Sequence, residues 1–238
     1  MPLQVINLGL IDYQSAWDLQ KTLFDKRLNN HIEDTLLLCE HPHTYTVGKN
    51  GVDSVSKHLR MNKDELATHG IKVFEIDRGG DITYHGPGQI VGYPILNLNN
   101  YYRDVHRYLR DIEETIIRTL AEYGLSGKRI DTITGVWIDT PRGPEKICAI
   151  GVKVTRWITM HGFAFNVNTN LDFFNGIVPC GISDKGVTSL EKLLNKKINL
   201  HEVETVLTEK FAEVFGVTTQ MVGKEHVLTM EIPHATVS

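Results

Sequence analysis

An α/β (α+β) fold, with a mixed sheet flanked by helices, is what the pattern of this 238-residue sequence predicts. Two features carry that expectation. Short apolar runs with strand character are interleaved with segments of helical spacing, and the second half contains hairpin-type strands. The composition suits a globular domain with a sizeable core, at 41% hydrophobic and 23% charged residues.

The elements follow in order. Leu3 to Leu8 reads as a strand. Tyr13 to Asn29 reads as a helix, because Ala16, Trp17, Leu23, Phe24 and Leu28 fall near helical spacing and Asp12 can cap it. Asp34 to Cys39 is an apolar run ahead of the turn-forming His41-Pro42-His43, which suggests a buried strand. Cys39 is then a core residue. Ile71 to Ile76 is another strand. Gln89 to Leu98 is apolar but contains Pro94, which favours an edge or irregular strand. Val105, Leu109, Ile112, Ile116 and Leu120 mark a helix that stops near Gly124. Gly135 to Asp139 and Lys146 to Val154 are strands joined by the turn residues Thr140 to Pro144. His161 to Val167 is a further strand. A short helix starts in Thr188 to Leu194, and His201 to Phe215 is a last amphipathic helix. The expected organisation is one domain over residues 1–217 and a weakly patterned tail over 218–238.

Several function classes are disfavoured. A net charge of −4 does not suggest broad affinity for nucleic acid or anionic membrane. No run approaches ~18 apolar residues, so no membrane span is expected. The N-terminal residues lack a signal-peptide pattern, which makes the cytoplasm the default location. Three cysteines without CxxC spacing argue against a disulfide frame or a zinc site, and the eleven histidines are scattered.

Two segments stand out as carriers of chemistry. Arg78 to Gln89 holds four glycines, a proline, an arginine and a histidine between apolar runs. Such a loop can bring backbone N–H groups close to a ligand, although it can equally be a glycine-rich turn. It matches neither GxxxxGK[ST] nor GxGxxG. Val178-Pro-Cys-Gly-Ile182 places Cys180 between a proline and a glycine, where a tight turn would expose the thiol. An unassisted thiol has a pKa of ~8.5, so a nucleophilic Cys180 needs a cation. His85, His161 and Lys146 are candidates, and Lys146 can also be an ordinary solvated lysine at a hairpin end. Cys148, two residues further on, is expected on the same strand face as Lys146 and as a packed apolar side chain.

Taken together, these segments resemble the octanoyltransferases of lipoate biosynthesis. The matching residues are Glu40-His-Pro42, Tyr45-Thr-Val-Gly48, Arg78 to Ile90, Tyr93 to Asn97, Lys146 to Val152, His161 to Val167, Val178 to Ile182 and Val187 to Leu190. The resemblance runs from about Leu3 to about Phe215, and Asp81 sits where the family varies. It implies the fold shared with biotin and lipoate protein ligases. It also implies Cys180 as nucleophile and Lys146 as its partner. The implied acyl pocket is formed by Arg78, Gly79, Gly80, Asp81, Ile82, Thr83, Tyr84 and His85, with Ala149, Ile150 and Gly151 and with Gly162, Phe163 and Ala164. Octanoyl-acyl carrier protein would be the donor. The acceptors would be the lipoyl domains of 2-oxoacid dehydrogenase complexes and the glycine cleavage H protein. No nucleotide, metal or other cofactor is implied, and a monomer is expected. Three alternatives compete: an ATP-dependent lipoate or biotin ligase, which uses a lysine on the matching strand but has no need of the Cys180 thiol, a cysteine hydrolase releasing octanoate, and a non-catalytic acyl-binding protein in which Cys180 is incidental.

Overall fold

The computed structural model describes residues 2–49, 51, 58–178 and 186–228, apart from the side chains of His226 and Leu228. Strands and helices alternate as β1 (Pro2–Leu10), α1 (Tyr13–Leu28), β2 (Asp34–Glu40), β3 (Thr44–Val47), α2 (Lys63–Thr68), β4 (Lys72–Glu75), β5 (Ile82–His85) and β6 (Gln89–Ile95). The chain continues through α3 (Val105–Glu122), β7 (Lys128–Ile130), β8 (Ile133–Thr140), β9 (Gly143–Thr155) and β10 (Ile158–Asn166). It then forms α4 (Leu190–Leu194), α5 (Leu200–Phe215), β11 (Thr218–Met221) and α6 (Glu225–Leu228).

Eight strands form one mixed sheet in the order β11-β1-β2-β6-β10-β9-β8-β7. The pairs of β1 with β2 and with β11 are parallel, and the rest are antiparallel. A second, three-stranded sheet has the order β4-β3-β5. The mixed sheet expected from the sequence is therefore present. Most helix ends are where the side chains dictate. Asp12 accepts from the Gln14 N–H at 3.0 Å and caps α1. Gly124, just past α3, takes φ +72°, a conformation that costs a glycine little.

The main sheet is covered on both faces. One core gathers Tyr108, Ile112, Ile116 and Leu120 of α3, Leu207 and Phe211 of α5, and strand residues such as Leu36, Ile90 and Phe165. The other packs Ala16, Leu19 and Leu23 of α1 against Leu37, Val91, Tyr93 and Ala164. A third core lies under the small sheet, around Tyr45, Val47, Ile82 and Tyr84.

Two expectations are corrected by the sheet. The run containing Pro94 is not an edge or irregular strand: β6 sits between β2 and β10. The ladder from β10 to β6 covers Gln89 to Gly92 and stops there. The Pro94 carbonyl then accepts the Thr159 hydroxyl at 2.7 Å, and the same hydroxyl accepts the Leu96 N–H at 2.9 Å. A strand residue directs its nitrogen and its carbonyl to the same side, so the missing N–H of Pro94 falls where the ladder has already ended. The second correction concerns β9. Cys148 pairs with Val136 but Lys146 pairs with Trp137, so Ile147 is the extra residue of a bulge. Neighbouring residues of β8 face opposite ways. Cys148 therefore joins the main core and Lys146 projects to the other side. A bulge of this kind carries no signature that spacing alone would show.

The short strands β3 and β5 and the edge strand β11 add to what the pattern predicted. The last of these lies in the segment read as a weakly patterned tail, where Pro2 to Val5 pair with Thr218 to Met221.

Candidate active site

A cavity of about 780 Å³ opens between the small sheet and the centre of the main sheet. That size falls in the range of roughly 300–1,000 Å³ typical of small-molecule sites. Its walls include Arg78 to Thr83 and His85 on one side, and Ala149, Ile150 and Gly151 with Gly162, Phe163 and Ala164 on the other. Lys146 lines it too. The sequence-predicted residues thus converge on one space, with two exceptions. Tyr84 turns away, stacks on Phe173 at 5.3 Å and hydrogen-bonds His43 at 2.7 Å. Cys180 and its neighbours Pro179 to Lys185 lie outside the described residues.

Lys146 owes its place to the bulge in β9 and to a glycine in β8. Gly135 has φ +130°, and a Cβ there would sit 2.8 Å from the Cys148 carbonyl and 3.3 Å from Lys146 Cε. The stem of Lys146 therefore passes over the bare glycine, and its Nζ comes to 4.7 Å from the centre of the Trp137 ring. Ring faces attract cations. Burial works against the charge and brings the Lys146 ammonium down to about 8, while Cys148 and Glu113 oppose that fall. No ion pair or hydrogen bond reaches this amine among the described residues, so near neutral pH it can both hold and release a proton. The solvated lysine that the sequence equally allowed is not what the fold contains. The buried Cys148 thiol is pushed well above its ordinary value by the same desolvation, in keeping with a packing role.

The glycine-rich wall is built differently. Arg78 is buried, and its Nη2 donates to the Thr46 carbonyl at 2.8 Å and to Thr46 Oγ1 at 3.0 Å. His85 Nε2 lies 3.3 Å from Thr46 Oγ1, and its Nδ1 lies 2.9 Å from Gln89 Oε1. Gln89 Nε2 donates to Asn166 Oδ1 at 3.0 Å, and Asn166 Nδ2 donates to the Thr188 carbonyl at 3.1 Å. The donors and acceptors along this chain place a proton on His85 Nδ1, facing Gln89 Oε1, and a neutral ring leaves Nε2 to accept from the Thr46 hydroxyl. Burial supports that state, since it pushes the His85 pKa down to about 3. His85 is therefore a wall and an anchor rather than a cation for a thiol.

His161 is likewise unsuited to that task. Its Nε2 meets Asp77 Oδ1 at 2.7 Å, and burial holds its pKa below the usual imidazole value despite the carboxylate. It also adopts φ +60°, unusual for a residue other than glycine, and its N–H leaves the ladder to reach Gln20 Oε1 at 3.1 Å. Of the three cations the sequence offered, Lys146 alone keeps a pKa above neutrality.

The glycines of the pocket answer to close approaches. A Cβ on Gly151 would come 2.8 Å from the Gly79 carbonyl, and one on Gly162 would come 2.0 Å from the Gly92 carbonyl. Any side chain would push the wall into the cavity or break the sheet. Sequence reading missed several lining residues, among them Tyr13, Gln89, Tyr93, Thr134 and Asn166. Tyr13 and Thr134 look like ordinary helix and strand residues in isolation, whereas Gln89, Tyr93 and Asn166 sit inside segments already matched to the family without being picked out there.

A family model describing the lipoyl protein ligase A/B catalytic domain matches residues 12–212. An octanoyltransferase of Cytophaga hutchinsonii is 49% identical over 226 residues, covering 89% of this chain and 91% of its own. One of Rubrobacter xylanophilus is 52% identical over 209 residues, covering 87% of this chain and 91% of its own. The chain belongs to the octanoyltransferase family. It is an acyltransferase of that type, and the relationship covers both walls of the cavity. The fold extends further. The bipartite lipoate protein ligase of Thermoplasma acidophilum, described with its E2 lipoyl domain, superposes with a TM-score of 0.73. It is 16% identical and covers 94% of this chain and 87% of its own. A biotin protein ligase of Aquifex aeolicus gives 0.56 at 15% identity, covering 90% of this chain and 70% of its own. The ligase-like fold implied by the sequence motifs is thus present, and at such identities the likeness speaks to fold alone.

Proposed function

We propose that this octanoyltransferase takes its acyl group from octanoyl-acyl carrier protein, holds it as a thioester on Cys180, and passes it to the ε-amine of a lysine in a lipoyl domain. The observation that carries this reading is the Lys146 amine, unpaired among the described residues, beside Trp137 in the cavity wall and acidified to about 8. An amine of that acidity can protonate one leaving group and deprotonate the next nucleophile.

The steps balance without a co-reactant. The Cys180 thiolate attacks the donor thioester, and the carrier's thiol leaves with a proton from the Lys146 ammonium. The acceptor amine then attacks the acyl-cysteine, its extra proton passes to neutral Lys146, and the Cys180 thiolate departs. Ping-pong kinetics follow from the covalent intermediate. A thioester is already activated, so neither nucleotide nor metal is needed. Chain geometry supports the pairing of the two residues. The Gly186 carbonyl accepts the Lys146 N–H at 2.9 Å, and Thr188 N–H donates back to the Lys146 carbonyl at 2.9 Å. Cys180 lies six residues before Gly186, a reach of at most ~20 Å.

The acceptor assignment draws on the family and on the lipoyl domain described with the Thermoplasma ligase. A single catalytic unit that takes in β11 (Thr218–Met221) beyond the expected boundary at residue 217, acting as a cytoplasmic monomer, completes the reading. The sorting experiment is incubation with octanoyl-acyl carrier protein in the absence of ATP, with mass spectrometry of the intact enzyme and of an added lipoyl domain. One octanoyl group on the enzyme, lost in Cys180→Ala and chased onto the lipoyl domain, is the expected result. Acyl transfer that requires ATP would instead mark a ligase. Octanoate released without transfer would mark a hydrolase.

A further inference from the structure

Glu113 has no part in the steps above, yet its carboxylate is fully buried. A buried carboxylate is rare unless it is paired. Its Oε2 accepts from Arg110 Nη1 at 2.7 Å and from Arg129 Nε at 3.1 Å. Its Oε1 accepts the Gly135 N–H at 2.9 Å. Gly135 is the glycine over which the stem of Lys146 runs, with Cε 3.3 Å from the place a Cβ would occupy. One side chain of α3 therefore grips the short stretch of β8 on which Lys146 rests.

We infer that Glu113 is a positioning residue for Lys146: it fixes Gly135 beneath the lysine stem and holds a buried carboxylate behind that glycine that helps the amine remain a proton carrier. The inference rests on the reading of Lys146 as the proton carrier of the transfer. The surroundings of the amine support it. Among the described residues, α3 presents Glu113, backed by Arg110 of the same helix and Arg129 of β7. On the strand of Lys146 itself, Cys148 faces the core and burial keeps its thiol protonated, while Gly135 and Trp137 of β8 carry no charge. Glu145, the preceding residue, spends its carboxylate on Arg142 and Lys192. Arg110 and Arg129 are 45% and 33% exposed, whereas the Glu113 side chain is at 0%. Water screens the two guanidiniums more than it screens the carboxylate, so the carboxylate dominates at Lys146. The direction agrees with its effect on the lysine, which is to favour the proton.

The test is an NMR titration of the Lys146 side chain, followed through its 13Cε resonance in the whole protein without substrate. Glu113→Gln keeps an acceptor for the Gly135 N–H and removes the charge. Its Lys146 midpoint is expected roughly one unit below wild type. Arg129→Gln, at a partly exposed site, removes an offsetting cation and is expected to move the midpoint the other way. In Glu113→Gln the alkaline limb of the transfer rate should shift with the midpoint, with little change in KM for the acceptor. Midpoints that stay at the wild-type value in both variants overturn the inference. So do shifts of the same sign in both, which would mark a general structural effect. If Glu113→Gln does not fold, Glu113→Asp, which keeps the charge but shortens the reach to the Gly135 N–H, decides alone: a moved Lys146 midpoint supports the inference, and an unmoved one overturns it. The titration reads the amine without turnover. Activity retained by Lys146→Met would therefore sink the proposed mechanism while leaving this result standing.

Discussion

The two walls of the cavity solve opposite problems. On the glycine-rich side, every polar group from Arg78 through Thr46, His85, Gln89 and Asn166 to the Thr188 carbonyl has its donor or acceptor fixed. Protons there are held in place, and burial that brings the His85 pKa down to about 3 keeps the ring neutral near pH 7. On the β8–β9 side, a single amine leans on a ring face with its pKa near 8. In the proposed mechanism the first wall gives shape and the second gives reactivity. The difference teaches that the number of titratable groups near a site matters less than how many of them are free to change state.

Exchanging the reactive group tests that division most severely. Lys146→Met should lower acyl transfer by roughly 10²–10⁴-fold, measured as kcat with a lipoyl-domain acceptor. The same variant should be more stable at pH 7. The lysine pKa is depressed from 10.5 in the unfolded chain to about 8 when folded. The unfolded chain therefore binds more protons between those values, and stability rises with pH across that window. Below pH 8 the buried amine costs the fold on the order of 3 kcal/mol, so the advantage of Met is full there and fades toward pH 10.5. Urea titrations of both proteins at pH 7 and pH 10 read this directly. Equal stabilities at pH 7 would mean the amine is better solvated than its place in the wall implies.

Damage to the shaping side should look different. Gly162→Ala would press a methyl group to within 2.0 Å of the Gly92 carbonyl, which must force β6 and β10 apart. A loss of about 3 kcal/mol in unfolding free energy is expected, together with weaker acyl binding. Asn166→Ala removes the link from Gln89 to the Thr188 carbonyl. It should cost about 1–3 kcal/mol in stability, leave the pH dependence of transfer where it was, and reduce its rate. A moved pH optimum in that variant would show that the fixed wall shares in proton handling. The smallest effect belongs to Tyr84→Phe. The hydroxyl meets His43 away from the cavity, so about 1 kcal/mol of stability and no change in transfer are expected. A large loss of activity would return Tyr84 to the pocket.

Much of this contrast was readable in the sequence, and unevenly so. Arg78 to His85 and Ala149 to Gly151 declare themselves through glycines, because close backbone approach leaves no other residue possible. Lys146 was singled out because a charged residue opening an apolar strand calls for a reason. Its burial was not readable, because it depends on the bulge at Ile147 and on Gly135, which lies eleven residues earlier across a hairpin. The part played by Glu113 was invisible for a related reason. The helical pattern of α3 does set Glu113, four residues after Leu109 and three before Ile116, at the edge of the apolar stripe and Glu114 on the opposite face, but its partner, the Gly135 N–H of β8, lies across the fold where spacing cannot show it. Pro94 misled because the rule for proline in sheets concerns its missing N–H, and Thr159 closes the gap from a strand 65 residues away. Local chemistry was legible from composition, and partnerships across the sheet were not.

The central claim is that the Lys146 amine sets the acidity of the Cys180 thiol, and the pH dependence of Cys180 alkylation by iodoacetamide measures it. The enzyme should show a reactive thiolate well below pH 8.5, and folded Lys146→Met should react with the profile of an unassisted thiol, near that value. Identical profiles for the two proteins would contradict the account.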